Sequence, residues 1–173
     1  ALALTLGAGL LLNSFARLMM VDPGVRTNGV MAAIIEPNPA LFRQVMERLE
    51  ATPGVVAAGA SNGLPFTDHG NAAYLKVEGS SQTTANDPAT LSTLHIVSGN
   101  YLRALDVPLL RGRLLSAQDT ANALPVAVIN ETAANRFWNS ADPIGKRVNF
   151  GRPEEKEVWR QVVGIVKSTR PNG

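Results

Sequence analysis

Residues 97–148 read VSGNYLRALDVPLLRGRLLSAQDTANALPVAVINETAANRFWNSADPIGKRV, and the order of caps, turns and apolar runs in this stretch decides the fold. Ser98 is placed to cap a short helix whose Tyr101, Leu102 and Leu105 share one apolar face, and Pro108 ends it with an extended exit. Gly112 breaks the run that follows, and Ser116 and Asp119 stand at capping-box spacing. Pro125 opens Val-Ala-Val-Ile, a short run rich in β-branched residues that suits a buried strand. Ala133, Ala134, Phe137 and Trp138 fall at i, i+1, i+4 and i+5, the apolar stripe of a second helix, while Asn135 and Arg136 face away. Asn130, Glu131 and Thr132 match a glycosylation sequon, but Asn130 also stands at the start of this helix, where a cap is the simpler role. Asp142, Pro143 and Gly145 then supply turn chemistry before a strand that begins at Lys146 and Arg147.

Upstream, Val30–Ile35 is a short apolar strand candidate, and Asn38 with Pro39 marks a capped helix start. Leu41, Phe42, Val45, Met46 and Leu49 form that helix's apolar stripe, and Thr52, Pro53 and Gly54 end it. Val55–Ala60 reads as a second strand, completing a β-α-β unit that needs further strands to bury both sheet faces. Residues 61–73 have loop composition, Tyr74–Glu78 suits an exposed strand, 79–88 is a polar loop, and Thr90–Val97 is another strand. Downstream, Lys146–Phe150 and Glu157–Val166 flank Gly-Arg-Pro-Glu-Glu-Lys and read as a hairpin. These elements define an α+β chain.

With 45% hydrophobic and 17% charged residues, the 173-residue chain carries enough apolar surface to fold as one domain or two small subdomains. A formal charge of +2 and 5% aromatics provide neither a basic stripe nor a stacking platform, which argues against a nucleic-acid partner. The absence of cysteine excludes disulfides, thiolate metal sites and cysteine nucleophiles, yet is compatible with an oxidising compartment. Residues 1–12 are apolar except for Thr5, and the run reaches Phe15 before Arg17. That is short of the roughly 20 residues that cross a bilayer, so it reads as the outer end of a transmembrane helix that stops before the Asp22-Pro23-Gly24 turn. The chain starts without Met and ends at Pro171-Asn172-Gly173 right after a strand-like run, as an excerpt of a longer protein would.

The motifs of common chemistries are incomplete. Gly145-Lys146 approaches a phosphate-binding loop, but Ser140 stands where its first Gly must be and Arg147 at the hydroxyl position. His69 and His95 lack metal-ligand spacing, and Ser98, His95 and Asp106 lack the Gly-x-Ser-x-Gly elbow of a hydrolase. Asp68, Asp119 and Asp142 each sit where a cap or turn wants a carboxylate. Arg111, Arg113, Arg136, Lys146 and Arg147 are the informative charges. They are suited to fix loops as bidentate pairs with Glu131 and Asp119, or to present a partner-binding face. We expect no catalytic, cofactor or metal residues here, and contact residues for a partner or substrate at Asp68, His69, Asn71, Arg111 and Arg113. The 61–73 and 79–88 loops carry that contact.

The succession Tyr-Leu-Arg-Ala-Leu-Asp-Val-Pro-Leu-Leu-Arg-Gly-Arg (101–113), Pro-Val-Ala-Val-Ile-Asn-Glu-Thr-Ala-Ala-Asn-Arg-Phe-Trp (125–138) and Asp-Pro-Ile-Gly-Lys-Arg (142–147) resembles the MacB-like periplasmic core domain of ABC transporter permeases. It looks closest to the large duplicated permeases of acidobacterial (ADOP) type, with Leu102 where the pattern has Phe and Lys167–Thr169 replacing its Gly-Asp-Val. The resemblance implies an anchor helix over 1–21 and a partial periplasmic core domain over 22–173. Within it, 29–60 and 157–167 would form a porter-like layer, half of a split β-α-β subdomain that a later segment completes, and about 61–156 an inserted mixed subdomain. It further implies a bacterial inner-membrane protein whose domain faces the periplasm and transmits ATPase-driven motion, for export or for mechanotransmission. ATP would be bound by a separate cytoplasmic ABC ATPase, with no cofactor in this segment. The implied partners are that ATPase, the membrane, a second permease half in a dimer or pseudo-dimer, and a periplasmic adaptor. The competing expectation is a soluble α/β enzyme or ligand-binding domain with residues 1–20 as a buried helix.

Overall fold

The computed structural model describes residues 13, 28–35, 38–63, 71–80, 90–120, 122–139, 141–151 and 157–169. The expected anchor helix over 1–21 lies outside the described residues apart from Asn13. Among the described residues no helix is long and apolar enough to cross a membrane.

Helix α1 spans Pro39–Glu50, where the sequence places it. Asn38 is its cap, its Oδ1 accepting from the N–H groups of Ala40 at 3.0 Å and Leu41 at 3.1 Å, and Pro39 supplies the preset first φ. Its apolar stripe buries no residue fully. The flanking strands of the expected β-α-β unit are absent. Residues 30–35 and 55–60 are extended without a ladder, and Met31 and Val56 are almost entirely exposed. Strand-like composition does not make a ladder by itself: the second segment meets a neighbour only at its end, where the Ala60 carbonyl accepts from the Ser98 N–H at 2.8 Å.

A six-stranded sheet follows: β1 (Asn71–Val77), β2 (Leu91–Leu94), β3 (Leu109–Gly112), β4 (Val126–Asn130), β5 (Arg147–Gly151) and β6 (Trp159–Val166). Between β2 and β3 lies the one-turn helix α2 (Tyr101–Ala104), and α3 (Glu131–Trp138) follows β4 directly. The expected hairpin is present, β5 running antiparallel to β6 with Asn149 opposite Trp159. Beyond that contact β6 pairs antiparallel with β3, and β4 lies parallel along β6. Residues 157–167, expected beside 29–60, are therefore hydrogen-bonded to strands of the 61–156 segment. β1 joins β5 on one side and β2 on the other, so it is internal, where the sequence suggested an exposed strand. It also begins at Asn71, inside the expected 61–73 loop.

The core lies between one sheet face and α3. Leu75 is 1% exposed and Val148 and Val162 are fully covered, with Val77, Ala127, Ile129, Ala134 and Ile165 completing the cluster. Ala133, Phe137 and Trp138 of α3 pack against it, as their stripe requires. Asn130 Oδ1 accepts from Ala133 N–H at 2.8 Å, which is the cap. At the other end Asn139 takes the left-handed conformation and its N–H donates to the Asn135 carbonyl. Two glycines permit close backbone approach: Gly112, at φ 76, faces the Val163 carbonyl and Gly164 faces that of Arg113, and a Cβ at either would overlap that oxygen.

Leu75→Ala should destabilise the domain by about 2–5 kcal/mol, the usual cost of a truncated core leucine. Urea unfolding of the purified domain followed by circular dichroism measures it.

Candidate functional site

The five expected contact residues do not form one cluster among the described residues. Asp68 and His69 lie outside them. Asn71 is exposed at the first position of β1, paired in register with Leu94. Arg111, on β3, reaches Asp142 at 2.6 Å, and Asp142 also accepts from the Ile144 N–H at 3.0 Å, so the pair pins the turn into β5. Arg113 grips Asp119 through both terminal nitrogens, each at 2.8 Å, the bidentate geometry that favours arginine over lysine.

Asp119 holds more than its arginine. Its Oδ2 accepts from the Ser116 N–H at 2.8 Å and lies 3.3 Å from the Ser116 hydroxyl, the reach-back half of a capping box closing a turn that no helix follows. The Arg113 hydrogen bonds, aided by those from Ser116 and opposed by partial burial, hold the Asp119 carboxyl down to about 2. The Glu131 carboxylate accepts from the Ser168 N–H at 3.2 Å, tying α3 to the end of β6. Arg147 instead pairs with Glu78 across β5 and the turn after β1, and this contact holds the Glu78 carboxyl below its usual value. Lys76 pairs with Glu157 at 2.7 Å.

The Glu78–Arg147 pair borders an open groove of about 390 Å³ lined by Val77, Glu78, Gly79, Ser80, Phe137, Trp138 and Lys146. Its aromatic wall comes from Phe137 and Trp138, whose rings meet edge to face at 6.3 Å. With Glu78 neutralised by Arg147, the exposed Lys146 leaves the rim positive. The groove therefore offers apolar surface beside an ammonium. Sequence reading had each part, the aromatic stripe, the 79–88 loop and Lys146, but nothing in the spacing announced that β1 and α3 would meet.

The architecture is thus an α-helix backed onto a mixed sheet, with polar clamps at its turns and an open groove at one end. The family follows from the sequence profile: the MacB-like periplasmic core domain matches residues 3–173, and the chain belongs to that family, the periplasmic domain of ABC-type transporter permeases. Among solved structures, the chain resembles the periplasmic region of MacB from Actinobacillus actinomycetemcomitans, with TM-score 0.50 and 22% identity over 73% of this chain and 50% of that one. It is likewise similar to the extracellular domain of the noncanonic ABC-type transporter YknZ from Gram-positive bacteria, with TM-score 0.51 and 18% identity over 72% of this chain and 56% of that one. At these identities the likeness concerns the fold. The chain spans about half the length of those solved regions. No curated protein sequence matches it.

Because its carboxyl is held low in the folded state, Asp119 contributes stability in full above the ordinary aspartate value of 3.8, and the contribution is lost as pH falls through about 2. Asp119→Asn should lower stability at neutral pH by about 1 kcal/mol, after allowance for solvent screening of the half-exposed Arg113. Urea titrations between about pH 5 and about pH 2 should show the gap from the parent protein closing as acid is added.

Proposed function

We propose that this chain is the extracytoplasmic part of a bacterial inner-membrane ABC permease of the acidobacterial duplicated type, anchored by a helix over residues 1–21 and facing the periplasm. The observation that supports this is the family match over residues 3–173, which includes that apolar stretch. In this reading a separate cytoplasmic ABC ATPase binds and hydrolyses ATP, and its motion passes through the membrane helices to this domain. The domain binds or pushes without cofactor chemistry of its own, for export of a substrate or for mechanotransmission.

The sheet suits the task, since a backbone hydrogen-bonded on both edges of β6 bears load better than loops do. The contact surface for substrate or a periplasmic adaptor is assigned to the two polar loops, including Asp68, His69 and Asn71, together with the aromatic groove where the second loop leaves β1. Arg111 and Arg113 serve that surface by fixing the turns to which they are paired. A second permease half beside this one, as a dimer or pseudo-dimer, completes the proposed assembly, in which residues 22–173 are this part of the core domain.

Topology tests the reading. The segment has no cysteine, so Asn71→Cys in the full-length protein, with other cysteines removed, provides a single exposed thiol. A membrane-impermeant maleimide should label it in intact cells with a permeable outer envelope while a cytoplasmic control site stays protected. Labelling only after lysis would place the domain inside and remove the permease orientation.

A further inference from the structure

Chain segments 58–63 and 96–101 run side by side where the α1 region gives way to the sheet, and they are held by an unusual density of polar contacts. Ser61 and Val97 form an isolated antiparallel bridge. Backbone bonds flank it on both sides: Ser98 N–H donates to the Ala60 carbonyl at 2.8 Å, and Asn62 N–H to the Ile96 carbonyl at 3.0 Å. Side chains take two further donors. Ala60 N–H donates to the Ser98 hydroxyl at 2.9 Å, and Ile96 N–H to Asn62 Oδ1 at 2.9 Å. Ser98, which the sequence placed as a helix cap, thus acts across the chain; α2 starts at Asn100 without a side-chain cap.

Three further contacts close the assembly. The Tyr101 phenol is partly buried, which pushes its pKa up, and Ser61 beside it opposes that shift. Gly59 lies so close to the Tyr101 backbone that a Cβ there would overlap Tyr101 Cα, and Ala58 beside it is buried. At the end of α1, Glu50 accepts from the Asn100 amide at 3.3 Å across a small cleft of about 160 Å³ shared with Val55, Val56 and Arg103. Thr52 anchors the turn after α1, its hydroxyl donating to the Arg48 carbonyl at 2.7 Å. A hinge needs backbone with room and groups that can exchange partners; here there is no room at Gly59, and the backbone groups of Ala60, Ile96 and Ser98 and the N–H of Asn62 are all bonded.

We propose that the paired segments 58–63 and 96–101 are a rigid coupler that makes the α1 region and the six-stranded sheet turn as one body, with Asn62 and Ser98 as its positioning residues. Its use, passing motion undiminished between the two parts, rests on the permease reading above; its rigidity does not.

The full-length permease in lipid nanodiscs, with spin labels at Arg43→Cys on α1 and Asn135→Cys on α3, both exposed, reports the distance between the two parts. Double electron–electron resonance should give one narrow distribution, unchanged by ATP. The added pair Asn62→Ala and Ser98→Ala removes both side-chain acceptors and should about double its width. Should that variant fail to fold, Ser61→Cys with Val97→Cys is the companion. These residues form a non-hydrogen-bonded pair, whose Cα separation of about 4.5 Å suits a disulfide, and oxidation should leave the distribution where it was. A broad or nucleotide-dependent distribution in the parent, an unchanged width in the double alanine variant, or a shift on oxidation would each overturn the coupler. Failure of the permease orientation shows in the maleimide labelling instead and leaves the distances as they are.

Discussion

Strand β6 has to satisfy backbone groups on both edges along eight residues, and it does so with three partners. β5 takes its first residues, β3 its last, and β4 the opposite edge in parallel. A second strand on the β5 side fits only because Gly112 and Gly164 face each other in register and the chain there approaches closer than side chains allow. The core follows from that arrangement. Val162 and Ile165 of β6 meet Ala127 and Ile129 of β4, Val148 of β5 and Leu75 of β1, and α3 covers this face. Removing β6 would leave β3 and β4 with no partner among the described strands.

Much of this was legible in the residues because local rules and the tertiary fold agree there. Asn38 and Asn130 cap the helices that follow them, the Ala133–Trp138 stripe faces the core, Pro125 opens β4, and β5 pairs antiparallel with β6. Other features were set by partners distant in the chain. Val30–Ile35 and Val55–Ala60 have strand composition, but a strand is a pairing and composition names no partner. Tyr74–Glu78 suited an exposed strand, but β1 lies between β2 and β5 and its Leu75 and Val77 join the core cluster. Ser98 shows how tertiary demand overrides a local rule: a hydroxyl well placed for capping was drawn instead to Ala60 N–H, 38 residues away.

The charged residues divide by the same logic. Arg113 with Asp119 was readable because six residues separate them, whereas Arg111 with Asp142 and Arg147 with Glu78 depend on which strands adjoin. Of the cations suited either to fixing loops or to a binding face, Arg111, Arg113 and Arg147 hold separate turns, in exposed pairs that add little energy while fixing a loop's position. Lys146 differs in that it borders the aromatic groove, and the groove itself exists only because β1 passes the end of α3. A functional surface assembled from three segments could not be named from any one of them.

The place of β6 in the chain order carries a consequence for biosynthesis. Its partners β3, β4 and β5 all precede it, so a growing chain has made every other strand before the one that joins them. Until Trp159–Val166 has left the ribosome, β4 and β3 have exposed edges and their core-facing side chains are uncovered. Folding of the described sheet is thereby delayed to the end of this segment's synthesis, and until then its unpaired strands are the form most exposed to aggregation.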